Sequence, residues 1–590
     1  MTEKSGAARR GFWRNIVLAW LAVSVILIVQ NWTAIRSFTL PDPDDALRLV
    51  QVRDLLAGQG WFDLHQYRID PPAGVATHWS RLVDAPLALV IMLLRPLVGQ
   101  ACAELAAAVA VPLLTLLGAM LLTARLALNL FGRRAAYASC LVWIMALSAI
   151  VQLQPLRIDH HGWQIVAELA ALNGLLARSA RRGGWIIGTA LALGMSISLE
   201  LLPFTVLFAA VLGLRWLRDP AQRGWLVHML AAVALISMAS FALTHGLTIE
   251  QHCDTISPAY LAAFALAAVM VGALSAPARL PRAMLIGLSG AAAVLTGAVY
   301  LAMAPHCLTG PFSALDPAVR YFWYNNVLEG LPIWRQDLPN IMQMALPVLV
   351  GLGVTGAACF QAQTTRRAQL GEFAVVLAGS LIIAIMVARF SAVAAAIATV
   401  PLGYAISEWL RRANTMRLAG RLLALPLIML VLLPGVFTGY AVQALTKPSV
   451  APQPPATGLA HGCSLPASLP ALTALPPATI FAPFEIGPVL LQNTAHRVVA
   501  TGHHRASDQM RDVIRAFMAP PARAEMIVRQ HQAVYVLACG DLVEAQNYRT
   551  FAPQGLMAQL LADKAPSWLE PVRLPASVGT LKLWRVRPAS

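Results

Sequence analysis

Apolar runs of helix length recur from residue 16 to about residue 440, and nothing constrains this chain more. Inside a bilayer every backbone N–H and C=O must be satisfied within its own segment, so such a chain folds as a bundle of helices. Hydrophobic residues make up 58% of the 590 and charged residues 12%, far from the balance of soluble domains. We expect a polytopic α-helical membrane protein with about thirteen transmembrane helices. The stretches are 16–32, 105–131, 135–151, 163–176, 185–199, 201–214, 225–245, 258–276, 283–303, 341–359, 373–388, 391–409 and 422–440. The basic N-terminus followed by 16–32 lacks a small-residue cleavage site, so it reads as a retained first helix.

The net charge of +16 does not mark a nucleic-acid partner. The arginines sit in short connections between apolar runs: Arg133-Arg134, Arg178/Arg181/Arg182, Arg215/Arg218/Arg223, Arg279/Arg282, Arg366-Arg367 and Arg411/Arg412/Arg417. They fall on alternate connections and, with the N-terminus, define a cytoplasmic face. Counting 86–98 as a span would break that alternation. It is short and interrupted by Arg95, so it reads as an interfacial or re-entrant helix within a first outer loop, 33–104. A second long outer loop covers 304–338.

Composition changes after residue 445. Residues 446–477 are rich in Pro, Ala and Ser, which suits an extended tether. From 478 to 590, short apolar runs at 479–481, 497–499, 533–538 and 580–586 read as strands, with a helical pattern over 507–518. This predicts a small α/β domain, placed on the outer face. The seven cysteines show no zinc spacing. Cys253, Cys307, Cys463 and Cys539 fall in outer segments, as disulfides or as buried thiols.

Four constellations carry chemistry. Asp42, Asp44 and Asp45 lie just beyond the first apolar run, in Pro41-Asp42-Pro43-Asp44-Asp45-Ala46-Leu47-Arg48. The prolines are read as keeping a helix from starting there. The stretch is a solvated turn or an oxygen site for a hard divalent ion. Arg157-Ile158-Asp159-His160-His161 follows the third run. If extended, it lets Asp159 and His161 converge on one ion; alternatively Asp159 caps the next helix. Glu329 stands alone in an aromatic outer segment. Arg389 lies at the outer end of a span, where a cation reaches a lipid headgroup or a substrate phosphate. In the C-terminal domain, His496, His503, His504 and Arg505 cluster in sequence, near Glu485.

Together these motifs resemble the catalytic subunit of oligosaccharyltransferases, of the GT-C class of polyprenyl-dependent glycosyltransferases. Asp44-Asp45-Ala46-Leu47-Arg48, leading to Arg53, is similar to the family's first acidic motif. Tyr67, Pro71-Pro72, Gly74 and His78-Trp79 follow in the order of the archaeal Tyr-Pro-Gly-His-Trp pattern. Asp159-His160-His161 is similar to the second acidic motif, Glu329-Gly330-Leu331-Pro332 to the mobile fifth outer loop, and Arg389-Phe390 to the phosphate-binding pair. One motif departs. Where the family has Trp-Trp-Asp-Tyr-Gly, which reads an Asn-x-Ser/Thr acceptor, this chain has Ala482-Pro483-Phe484-Glu485-Ile486-Gly487.

The resemblance implies a metal-dependent, inverting membrane glycosyltransferase. Asp44, Asp159 and His161 would hold a divalent ion, Mn²⁺ or Mg²⁺, with Asp42 or Asp45 as competing ligands. Arg389 would hold the donor phosphate and Glu329 would act at the acceptor. Arg48, His78, His160 and Glu485 would line the substrate sites. The implied partners are a polyprenyl-linked sugar donor, a protein or lipid acceptor and membrane lipid, with no nucleic acid. The implied location is a bacterial inner (plasma) membrane, with the N-terminus cytoplasmic and the C-terminal domain periplasmic. The rivals are a transporter or flippase, which would concentrate ionisable groups at midspan, and an assembly subunit with a dead site. Here the acids gather in outer loops, Glu168 being the main midspan exception and Glu200 lying at an outer end.

Overall fold

The computed structural model describes residues 2–277, 280–313, 315–413, 415, 417–445, 465–575 and 580–588. Two compact units emerge. One comprises Met1–Thr39, Ser80–Pro311 and Glu329–Val450; the other comprises Leu40–Trp79, Phe312–Leu328 and Ala451–Ser590. Parts of both long outer loops therefore group with the C-terminal module, which the division by chain order had kept apart.

The first unit is helical. Among the described residues nine helices are long and apolar enough to cross a membrane, and the pair Ala424–Leu432 and Pro434–Leu445, bent by 92°, makes a tenth if it is one span. The expected stretches at 135–151, 163–176 and 185–199 are helical but do not pass that test. Arg133–Val142 stops at a 3₁₀ turn, His161–Leu175 has 15 residues, and Ala180–Ile197 opens with two arginines and two glycines. Those glycines have a packing purpose. A Cβ on Gly184 would lie 2.6 Å from that of His228 and 2.7 Å from the Trp225 carbonyl oxygen. Small residues here let Ala180–Ile197 close directly onto Gly224–His245, since helices in lipid gain mainly from close backbone approach. The 86–98 stretch belongs to Arg81–Leu130, which breaks at Gly99, where a φ of 78° suits glycine. Cys253 and Cys307 form a disulfide, closing the ends of the hairpin Pro258–Ser275 and Arg282–Met303. Cys463 lies outside the described residues.

The second unit carries the sheet. Its strands are β3 (Thr479–Phe481), β4 (Arg497–Val498), β5 (Tyr535–Cys539), β6 (Leu569–Val572) and β7 (Leu581–Val586), after a short first-loop hairpin of β1 (His65–Gln66) and β2 (Val75–Ala76). The sheet order is β4-β3-β5-β7-β6, parallel across β4-β3-β5 and antiparallel across β5-β7-β6. The strand β6 was not anticipated; Glu570 and Pro571 within it hide its period. The helix Ser507–Met518 stands where expected. Residues 446–464 of the tether lie outside the described residues, and Leu465–Thr473 is a helix whose Leu472 is buried.

The first outer loop is built into this module. Ile69 bridges Val498 beside β4, and the Asp70 N–H donates to the Val498 carbonyl at 2.8 Å. Arg68 donates to the carbonyls of Leu491 and Thr494 at 2.7 and 2.8 Å. His531 joins Asp70 at 2.8 Å through Nδ1 and Asp512 at 3.3 Å through Nε2. Burial alone would lower the His531 pKa; Asp512 and Asp70 outweigh it and raise it to about 9. A raised histidine pKa stabilises the fold fully below the unfolded value near 6.5, and that contribution fades as pH climbs through about 9. It amounts to on the order of 3 kcal/mol. We expect the thermal midpoint of the second unit to fall between pH 6.5 and 9, and His531→Gln to flatten that fall. An unchanged slope in the variant would show that His531 is not the group responsible.

Candidate functional site

The segment Asp159-His160-His161 is not extended. His160 has helical dihedrals (φ −79°, ψ −16°) and His161 opens the helix His161–Leu175. Nor is Asp159 the N-cap residue: His160 is, and its own side chain makes no capping hydrogen bond. The three side chains still converge, because a first helical turn places them on one rim. A ligand atom from each lies within 4.8 Å of the others. All three are buried, Asp159 at 3% exposure.

Asp159 uses its two oxygens differently. Oδ1 pairs with His160 Nδ1 at 2.6 Å, and Oδ2 faces His161 Nε2 at 3.4 Å. Burial would lower the His160 pKa, but the Asp159 and Glu200 carboxylates raise it to about 9. His160 thus sits between two acids that favour its protonated form. His161 is set by Gln164. The Gln164 amide nitrogen donates to Glu200 at 2.9 Å, which turns its carbonyl oxygen to His161 Nδ1 at 3.1 Å. In this network Nδ1 carries the proton and Nε2 presents a lone pair to Asp159. Two acceptors at this spacing call for a cation. The spacing is also close to that of two ligand atoms on one ion with bonds of about 2.0–2.2 Å. The Asp159/His161 pair thus fits a divalent metal.

The network continues. Glu200, at the start of Leu199–Arg218, pairs with Arg389, and Arg389 Nη2 reaches Glu329 Oε1 at 3.1 Å. The Ala388 N–H donates to the Leu331 carbonyl at 2.9 Å and so pins the turn Ala388–Phe390. The chain of contacts runs Asp159, His160, Glu200, Arg389, Glu329, and it unites four of the residues singled out in the sequence. Glu200 and Gln164 were missed. Their signals were a lone acid before a proline at a span's outer end, and an amide three residues after His161.

The first-loop acids lie in the other unit. There the helix Pro43–Leu56 starts inside the acidic stretch, against expectation. Proline at the first helical position loses no hydrogen bond, and its fixed φ favours the helix. Asp42 is the N-cap, accepting from the Asp44 N–H at 2.9 Å. Asp42 is thus committed to the helix end, Asp44 is half-buried on the first turn and Asp45 is fully buried. Arg48 is buried with its guanidinium 4.9 Å from the centre of the Trp79 ring.

In the C-terminal module His496 leaves the histidine cluster. Its Nδ1 accepts from the Ala478 N–H at 3.1 Å and its Nε2 donates to the Leu472 carbonyl at 2.9 Å. These bonds tie the tether helix to β3. The stretch Ala482–Gly487 is held from beneath by Glu544, which accepts from the N–H groups of Phe484 and Glu485 at 3.1 Å each and from Tyr548 at 2.6 Å. Burial, then the neighbouring Glu485, push the Glu544 carboxyl well above its usual range.

No protein-family model and no curated protein matches this sequence. Solved structures do. The archaeal oligosaccharyltransferase AglB from Archaeoglobus fulgidus, in complex with an inhibitory peptide and a dolichol-phosphate, superposes with a TM-score of 0.67 at 14% identity, covering 94% of this chain and 71% of that one. The same organism's enzyme with Zn and sulfate gives 0.62, again at 14%, covering 97% and 73%. Its form tethered to an acceptor peptide containing the NVT sequon gives 0.60 at 14%, covering 98% and 74%. The sequence resemblance and the superpositions agree: this multi-pass membrane protein carries an oligosaccharyltransferase-like GT-C fold.

Proposed function

We propose that the chain is a membrane glycosyltransferase that moves a glycan from a polyprenyl phosphate or pyrophosphate donor to a protein or lipid acceptor. The observation that carries this reading is the continuous network from the Asp159/His161 pair to Arg389 and Glu329. Departure of a polyprenyl phosphate leaves negative charge that must be neutralised. Asp159 and His161 would hold a divalent ion, Mn²⁺ or Mg²⁺, which supplies Lewis-acid stabilisation of that charge when bound. Arg389, oriented by Glu200, offers a planar guanidinium to a phosphate oxygen. Glu329, 41% exposed, is the carboxylate best placed to orient the acceptor nucleophile. Attack opposite the leaving phosphate inverts the anomeric centre. Asp44 enters on the strength of its motif, and Asp44→Ala tests it separately. Glu485, where the family has an Asp, points to an acceptor other than the standard sequon.

The proposed location is a bacterial inner membrane, with the C-terminal module outside. The Cys253–Cys307 disulfide favours an oxidising compartment for those two loops. The test is transfer of a labelled glycan by the purified chain from a polyprenyl-linked donor, with and without a chelator. We expect turnover that chelation abolishes and Mn²⁺ or Mg²⁺ restores; chelator-resistant turnover would remove the metal from the reading. Transport is favoured by one observation. Both oxygens of buried Glu168, inside His161–Leu175, lack a hydrogen-bond partner among the described residues. Uptake of labelled lipid-linked glycan or solute into proteoliposomes, without transfer, would establish that second reading.

A further inference from the structure

We propose that His78, His503 and His504 form a binding site for a transition-metal ion of the Zn²⁺ class, distinct from the Asp159/His161 pair. The site staples the first outer loop to the C-terminal module. All three residues lie within the second unit. One ring nitrogen from each lies within 4.8 Å of the other two. The rings form a nearly equilateral triangle, with centroid separations of 5.1, 5.0 and 4.6 Å.

His78 Nδ1 and His503 Nε2 are 3.1 Å apart. Two imidazoles on one tetrahedral ion, with bonds of about 2.0–2.1 Å, stand about 3.3 Å apart. The bond between these rings is thus close to the spacing that an ion would impose. His503 Nδ1 faces the Arg505 N–H at 3.4 Å, which leaves Nε2 as the atom turned toward His78.

The surroundings hold the rings in place. Trp79 stands edge-on to His503 at 5.2 Å and Phe312 edge-on to His504 at 5.1 Å. Arg505 donates to the Thr77 carbonyl at 3.2 Å, which fixes the backbone just before His78. His503 is 3% exposed, and the other two are half-buried, so an ion has a way in. Three neutral nitrogens select Zn²⁺, Co²⁺ or Ni²⁺ over Mg²⁺ or Ca²⁺, and leave a fourth position for solvent or a substrate oxygen. His78, which the motif resemblance assigns to the substrate, is here assigned to the metal. Ligands that come from opposite ends of the chain make the ion a cross-link, so its binding free energy adds to the stability of the unit.

The test uses the full-length chain with a histidine-free affinity tag, stripped with a chelator and titrated with Co²⁺. We expect one equivalent to give the visible d–d bands of tetrahedral cobalt, to be displaced by Zn²⁺, and to raise the thermal midpoint. Asp159→Ala should keep those bands, and His504→Asn and His78→Asn should lose them. His504 is half-buried, so His504→Asn decides the matter if His78→Asn does not fold. Unchanged bands and stoichiometry in a folded His504→Asn, or loss of the bands in Asp159→Ala alone, would overturn the site. The cobalt readout is independent of glycan transfer, so failure of the proposed activity leaves it interpretable.

Discussion

Asp159→Asn is expected to lower kcat by about 10³-fold or more, roughly 4 kcal/mol of transition-state stabilisation, while the protein still inserts and folds. The substitution keeps the side-chain volume and a hydrogen-bonding edge toward His160, but removes the charge that faces His161 Nε2. In the proposed site a divalent ion would lose its carboxylate ligand. Single-turnover transfer with saturating donor and metal checks this. Near-wild-type turnover would remove Asp159 from the chemistry and leave it a structural partner of His160. The control is His160→Gln. It removes the buried imidazole between Asp159 and Glu200, and should cost less in turnover than Asp159→Asn because His160 acts through those acids.

Glu200→Ala should be the most damaging change at a residue that the sequence reading left out of the site. It strips Arg389 of a carboxylate partner, His160 of a second acid and the Gln164 amide of its acceptor. Breaking a buried pair by deleting one partner costs several kcal/mol; with 27% and 17% of the two side chains exposed, about 1–3 kcal/mol is expected here. The kinetic signature should be a raised KM for the lipid-linked donor together with a lower kcat, since both Arg389 and His161 lose their orientation. Glu200→Gln separates shape from charge: it can still accept from Gln164 but cannot neutralise Arg389. If Glu200→Gln keeps full activity, the Arg389–Glu200 charge pair is not part of donor binding.

The motif residues were legible because each carries chemistry in a local pattern. Asp159-His160-His161 stands out in an apolar chain, and its reach depends on three consecutive residues. The bundle was legible for the same kind of reason: burial in lipid demands long apolar runs, and those runs are a one-dimensional signal. The hidden parts are the ones whose meaning comes from a distant partner. Gln164 and Glu200 are ordinary polar residues until Glu200 meets Arg389, 189 positions away. The short helices at 133–142 and 161–175 read as spans by hydropathy, yet the first stops at the apolar 3₁₀ turn Trp143–Met145 and the second has only 15 residues, breaks that hydropathy does not mark. Pro41 and Pro43 looked like helix breakers, because a pattern of prolines does not say whether one sits at the first helical position.

The histidines show the same divide. In sequence His496, His503 and His504 form one group, and His78 belongs to another. In the fold His496 leaves for a backbone carbonyl and His78 takes its place, because β4 and the first-loop hairpin meet at the edge of one sheet. By itself the sequence determined a membrane-embedded helical bundle, an α/β module at its end, and the residue types that suit phosphate departure and metal binding. The tertiary structure alone decided which carboxylates meet Arg389, which groups face each nitrogen of His161, and which three histidines converge. The reason is physical: periodicity and composition report the solvent that each segment meets, whereas ligation and pairing depend on side-chain atoms brought within a few ångströms by contacts across the chain.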